Sequence, residues 1–290
     1  MPLGAILCAL LWGSAFPAIK LTYERLGDVG LKHYIAFAGM RFILAGLMVL
    51  FFIKNKKQSW LKSPKFSLLQ VALFQVVLQY IFFYIGLEMT SGVLCAILVA
   101  TGSFWWMLLA PWVDKKTVVL PFQWFILLLG FAGVVVCVMR NDGASSEPLL
   151  GGACIMFATL CGVFASLKVK PLNETLSVPF ISGVSLFVGG VALSVMVPNE
   201  FLYLIQNMDA WLMSMTIYLA LVSALAFSLW YWLITKFEVV KLSVYRMLIP
   251  ICGAFESLLF LDNEVIDLQL ITGALMVLSS IFILEKYKKA

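Results

Sequence analysis

The chain has 290 residues, of which 63% are hydrophobic and only 12% charged, and its mean hydropathy is +1.02. Soluble domains are about 45–50% apolar and about 25% charged, so a fold with water as its only solvent is excluded. The net charge of +5 reflects how basic residues are shared between the two sides of a bilayer and gives no support for a nucleic-acid partner. Within lipid only helices and closed barrels satisfy their backbone, and unbroken apolar runs such as Phe66 to Leu87, without alternation, select an all-α membrane protein.

The first run starts almost at Met1. No Lys or Arg precedes it and Lys20 lies inside its far end, so it is read as a retained helix rather than a signal peptide. Since ~20 apolar residues cross a bilayer, charged and Gly/Pro-rich punctuation then divides the chain into ten spans. They lie near 3–22, 34–53, 66–87, 90–112, 119–139, 150–168, 178–197, 210–235, 239–261 and 268–284. His33, the only histidine, falls in the first loop, where it is either simply solvated or a pH sensor. The six cysteines are scattered through the apolar runs without a C-x-x-C pair and are read as reduced core residues.

Cytoplasmic loops collect Lys and Arg. With the N-terminus inside, fourteen lysines from Lys54 to Lys289 fall on the cytoplasmic side, against Arg25, Lys32 and Arg140 outside. That asymmetry places a multi-pass protein in the inner (plasma) membrane with both termini cytoplasmic.

The two halves echo each other. Leu98 to Asp114 followed by Gln123 to Val138 parallels Leu248 to Glu264 followed by Gln269 to Ile283, which makes the unit five helices: a first repeat over 1–145 and a second over 146–290. Because five is odd, the second copy starts on the opposite side of the membrane, the inverted-repeat plan of many secondary transporters. No G-x-x-x-x-G-K-[ST] sequence is present, so a gradient rather than an in-chain nucleotide engine would drive transport. No cofactor is called for.

The stretch LLWGSAFPAIK (Leu10 to Lys20), Arg41-Phe42 in the second span, and Pro250 fourteen residues before Glu264 resemble the drug/metabolite transporter superfamily, EamA type. That resemblance covers essentially the whole chain. It implies a ten-helix exporter or exchanger of amino acids, amines, nucleobases or related metabolites, with the substrate held between the halves.

Candidate binding residues follow from position. Trp12, Phe16 and Lys20 recur at four-residue spacing on one face of the first helix, either a substrate-facing wall ending in a cation or a packing seam whose lysine snorkels. Arg41 is deep enough in its span to need a partner or a wet cavity, whether as a brace or as a substrate contact. Tyr84, Trp105 and Trp230 are cavity-wall candidates able to stack on a flat or cationic substrate. Pro250 frees a carbonyl near residue 246, while Arg246 itself reads as a membrane anchor. Glu256 stands near the middle of its span, roughly 80° round the helix from Arg246. It is expected to face the cavity and bind a cationic group or carry a coupled proton; the alternative is a buried ion pair with Lys20 or Arg41.

These features point to a secondary-active transporter of a small organic metabolite such as an amino acid or amine, working by alternating access in the lipid bilayer with a coupling proton or counter-substrate. Two alternatives stay open: a non-transporting membrane receptor or assembly protein, and an intramembrane enzyme. The second lacks paired aspartates, a Ser/His set or an H-E-x-x-H sequence within the spans.

Overall fold

A computed structural model describes residues 3–27, 30–54, 60–61, 63–90, 98–113, 118–138, 148–260 and 268–287. The acidic turns at Asp114 and Glu264 that end the echoed segments lie outside them. Among the described residues there are no strands. The main helices are α1 (Leu3–Leu26), α2 (Gly30–Phe51), α3 (Lys65–Met89), α4 (Gly102–Val113), α5 (Pro121–Val138), α6 (Pro148–Leu167, continued by the turn Val169–Leu172), α7 (Val178–Met196), α8 (Pro198–Gln206), α9 (Ala210–Lys236), α10 (Val239–Tyr245), α11 (Leu248–Phe260) and α12 (Leu268–Lys286).

Seven segments are long and apolar enough to cross a membrane: α1, α2, α3, Leu149–Leu172, α7, α9 and Val239–Phe260, with Pro121–Val136 as a shorter apolar helix. They are turned inside out relative to a soluble bundle. On α9, Met213, Ile217, Leu221 and Leu225 form an exposed apolar stripe at four-residue spacing, while Thr216, Ser223, Trp230 and Tyr231 are buried on the other side. Exposed Leu with buried Ser is the pattern expected when lipid is outside and hydrogen-bonding partners are inside. The chain is therefore a multi-pass membrane protein.

Local chemistry sets the helix ends. Asp209 caps α9, its carboxylate accepting the Leu212 N–H at 2.6 Å, and prolines in the first turns of α7 and α8 occupy positions whose N–H has no helical partner. The short α8 stands where sequence reading placed only a loop; Pro198 and Glu200 in its first turn were the available signal. Residues 239–261, expected as one span, divide at Arg246 and Met247. Pro250 has no N–H to offer the Arg246 carbonyl, which accepts instead from Ile249 N at 3.0 Å, so the freed carbonyl is satisfied by a tighter turn. His33 is not a loop residue: it sits in the first turns of α2, half-buried and edge-on to Tyr203 of α8 at 5.3 Å.

The dominant packing partners are α2 with α7, α5 with α12, α3 with α6, α1 with α9 and α11, α2 with α9, α3 with α7, and α4 with α6 and α10. Small residues let these backbones meet, as association in lipid requires. At the α1–α11 crossing a β-carbon on Gly13 would lie 2.9 Å from the Gly253 nitrogen, so any larger residue would force the helices apart.

Candidate functional site

Polar and aromatic side chains from α1, α2, α3, α4, α9 and the α10–α11 break converge at the centre of the bundle. Arg41 of α2 is 3% exposed, and its guanidinium lies 4.6 Å from the Phe42 ring centre and 5.5 Å from that of Tyr80. Its Nε has no hydrogen-bond partner. On the far side, the Arg246 guanidinium lies 5.8 Å from each of the Trp106 and Trp230 rings, with Gly102 leaving room beside it.

Rings in edge contact join the two arginines. Phe42 meets Phe227 at 6.3 Å, Phe227 meets Trp12 at 5.4 Å, Trp12 meets Trp230 at 5.6 Å and Trp230 meets Trp106 at 5.7 Å. From Tyr80 the chain also runs outward through Tyr84 at 6.0 Å and Tyr34 at 6.3 Å to Tyr23, stacked on Tyr34 at 3.9 Å. Among the described residues the ion pairs are Arg25–Asp209 and Lys241–Glu285, so neither inner arginine meets a carboxylate.

A second polar cluster sits in α3, where Leu73–Leu78 widens into a π-helical turn. Such turns shift the register of the side chains that follow and recur at functional sites. Here the widened turn carries the buried Gln75 amide, whose Nε2 donates to Gln79 at 2.7 Å and whose Oε1 accepts from Ser166 at 3.1 Å and Tyr231 at 3.2 Å. The cluster ties α3 to α6 and α9 through hydrogen bonds that lipid cannot replace.

The residues singled out from sequence separate into two groups. Arg41, Tyr84, Trp12 and Trp230 come together in the ring chain. Trp105 is half-buried with its indole N–H unpartnered, and it is the neighbouring Trp106 that meets Arg246. The rest of the α1 face does not follow Trp12 inward: Phe16 is 42% exposed and packs on Gly253, and Lys20 is exposed. Glu256 is half-buried in the α1–α11 seam, where its Oε2 lies over Gly13 without a hydrogen-bond partner. It makes no ion pair with Lys20 or Arg41, so the reading of it as a buried salt bridge is corrected.

Arg246, which by position reads as a membrane anchor, faces two indoles in the interior. The proline four residues on, which breaks the helix beside it, was the usable signal. Nothing local marked Gln75 or Gln79, because a π-helical turn has no sequence signature comparable to a cap.

Comparison with known proteins bears directly on this arrangement. The EamA-like transporter family matches the chain twice, over residues 1–139 and 149–285. The chain belongs to the EamA-like transporter family. Its relatives include an uncharacterized transporter of Synechocystis sp., 26% identical with 95% of this chain and 87% of that protein covered. The YetK transporter of Bacillus subtilis is 28% identical over 96% of this chain and 84% of its own length. A protein of Escherichia coli described as a "probable amino-acid metabolite efflux pump" is 23% identical over 96% and 92%. A solved crystal structure superposes with a TM-score of 0.77 at 16% identity, covering 97% of this chain and 95% of that one, which establishes the shared fold. Within this EamA-like fold the central arginines and aromatics occupy the position where both matched segments contribute side chains.

Proposed function

We propose that the protein is a secondary-active transporter, an exporter or exchanger of a small organic metabolite such as an amino acid or amine. It works by alternating access between two inverted five-helix halves, 1–145 and 146–290. The observation that carries this is the symmetry of the packing. Exchanging α1 with α6, α2 with α7, α3 with α9, α4 with α10–α11 and α5 with α12 brings the main pairings into correspondence: α1 on α9 and α11 matches α6 on α3 and α4, α2 on α9 matches α7 on α3, and α2–α7 and α5–α12 map onto themselves. A bundle with two equivalent packings has two conformations of similar energy, which is what opening alternately to each side demands.

The substrate site of this reading is the core that both halves line, with Arg41 and Tyr84 from the first and Trp230 and Arg246 from the second. Glu256, an unpartnered carboxylate in an apolar seam, is the coupling-proton candidate. The description of the Escherichia coli relative fits a substrate of amino-acid type. Ten membrane crossings with both termini in the cytoplasm accord with the lysine distribution, and the cell membrane is the site of action.

Single-cysteine labelling with a membrane-impermeant reagent, in a background free of native cysteines, tests the plan. Position 141 is expected to label from outside and position 57 only after permeabilisation; both lie beyond the described residues. The reverse result contradicts the orientation. Counterflow of labelled amino acids and amines in proteoliposomes tests the activity, and no flux of any solute contradicts it.

A further inference from the structure

Resting on that transport reading, we propose that the central core is built for the carboxylate of an organic acid, with Arg246 as its direct partner, Arg41 adding positive potential from the other end of the ring chain, and the rings beside Arg246 receiving a flat, apolar body.

Donors and acceptors do not balance at this site. A guanidinium donates through five N–H groups and accepts nothing, and an indole N–H only donates. The Arg246 end joins one guanidinium to the indoles of Trp106 and Trp230, and both indole nitrogens are buried without a partner. At the Arg41 end the Tyr80 hydroxyl is within hydrogen-bond reach of the guanidinium, but Nε, buried above Phe42, has no acceptor. No carboxylate of the described residues reaches either arginine.

Leaving one buried polar group unmade costs about 1–3 kcal/mol, and more when it is charged. Several such donors gathered in one core are tolerated when an acceptor arrives from outside. Because every missing partner is an acceptor, a cationic or purely apolar ligand would leave the imbalance intact, whereas a carboxylate offers two oxygens in the plane a guanidinium fork matches. Aromatic faces flank both arginines, so the plane of the anion continues into surfaces suited to a flat ring.

Phenylacetate, phenylacetamide and phenethylamine present one ring with an anionic, a neutral and a cationic end. Each is titrated into the full chain purified in detergent, following melting temperature and tryptophan fluorescence. Phenylacetate is expected to raise the melting temperature saturably and to quench the indoles, the other two not. Arg246→Gln is expected to weaken phenylacetate at least tenfold and Arg41→Gln by less, and Arg246→Lys to recover part of the loss. Trp230→Phe keeps a ring, removes one N–H donor, and should weaken binding severalfold should the Gln variants fail to fold.

Preference for phenethylamine, binding of none of the three, or unchanged affinity in the variants that fold overturns the proposal. Flux of an amine without phenylacetate binding overturns the anion site and leaves the transport reading standing. Phenylacetate binding without flux of any solute sustains the site and removes the transport reading.

Discussion

Gly39 on α2 and Gly190 on α7 close on each other's carbonyls: a β-carbon at 39 would lie 3.1 Å from the Gly190 oxygen, and one at 190 would lie 2.8 Å from the Gly39 oxygen. The contact is reciprocal, in keeping with the proposed exchange of α2 with α7. Substituting Gly190→Val places branched carbon against backbone that has no flexible end to move. The expected cost exceeds the ~1–3 kcal/mol of ordinary overpacking. Gly4→Ala, whose added carbon would meet only the movable side-chain ends of Leu233 at 3.2 Å and Leu229 at 3.4 Å, should be tolerated. Yield of monodisperse protein and its melting temperature distinguish the two.

The Gln75 cluster predicts unequal costs for two small changes. Tyr231→Phe removes one hydrogen bond and leaves Ser166 on the Gln75 oxygen, an expected loss of about 0.5–1.5 kcal/mol. Gln75→Leu removes the acceptor shared by Ser166 and Tyr231, and with it the Gln79 contact, and should cost more than twice as much. Thermal unfolding in detergent measures both, and equal losses would refute the shared-acceptor account.

Asp209 lies outside the spans, and its carboxyl is held below the usual carboxylate range, first by the Leu212 N–H it caps and then by Arg25 at 2.9 Å. A depressed folded pKa contributes stability that is present above the unfolded value of about 3.9 and is lost as pH falls through the folded one. Asp209→Ala should therefore melt at a lower temperature at pH 7, with the gap to the native protein closing below about pH 4. A gap unchanged at low pH would show that the charge is not the cause.

Glu256→Gln keeps the shape of the side chain against Gly13 and removes its ionisation. If Glu256 carries the coupled proton, the variant folds with the native melting profile while its flux loses dependence on a pH gradient. Native pH dependence in the variant would leave Glu256 as a packing residue.

The membrane class and the helix positions were legible because they rest on composition and run length, which one-dimensional sequence records directly. Residue roles were legible where depth alone decided them: Arg41 lies too far inside its span to be an interfacial anchor, and the structure finds it buried. Facing was harder to read. Trp12 and Phe16 share a helical face by spacing, yet α11 crosses α1 between them at Gly13, so one ring points to the core and the other packs on Gly253. Arg246 was missed for the complementary reason, since the helix break at its own position turns an expected anchor into the interior.

In the proposed function both halves line one substrate site through which a small organic metabolite crosses. Uptake of labelled amino acids and organic acids into proteoliposomes, comparing the native chain with Trp230→Ala and with the lipid-facing control Leu225→Ala, tests it most directly. Saturable uptake of at least one solute, retained in Leu225→Ala and lost in a folded Trp230→Ala, is predicted. No uptake of any solute, or equal uptake by all three proteins, would contradict it.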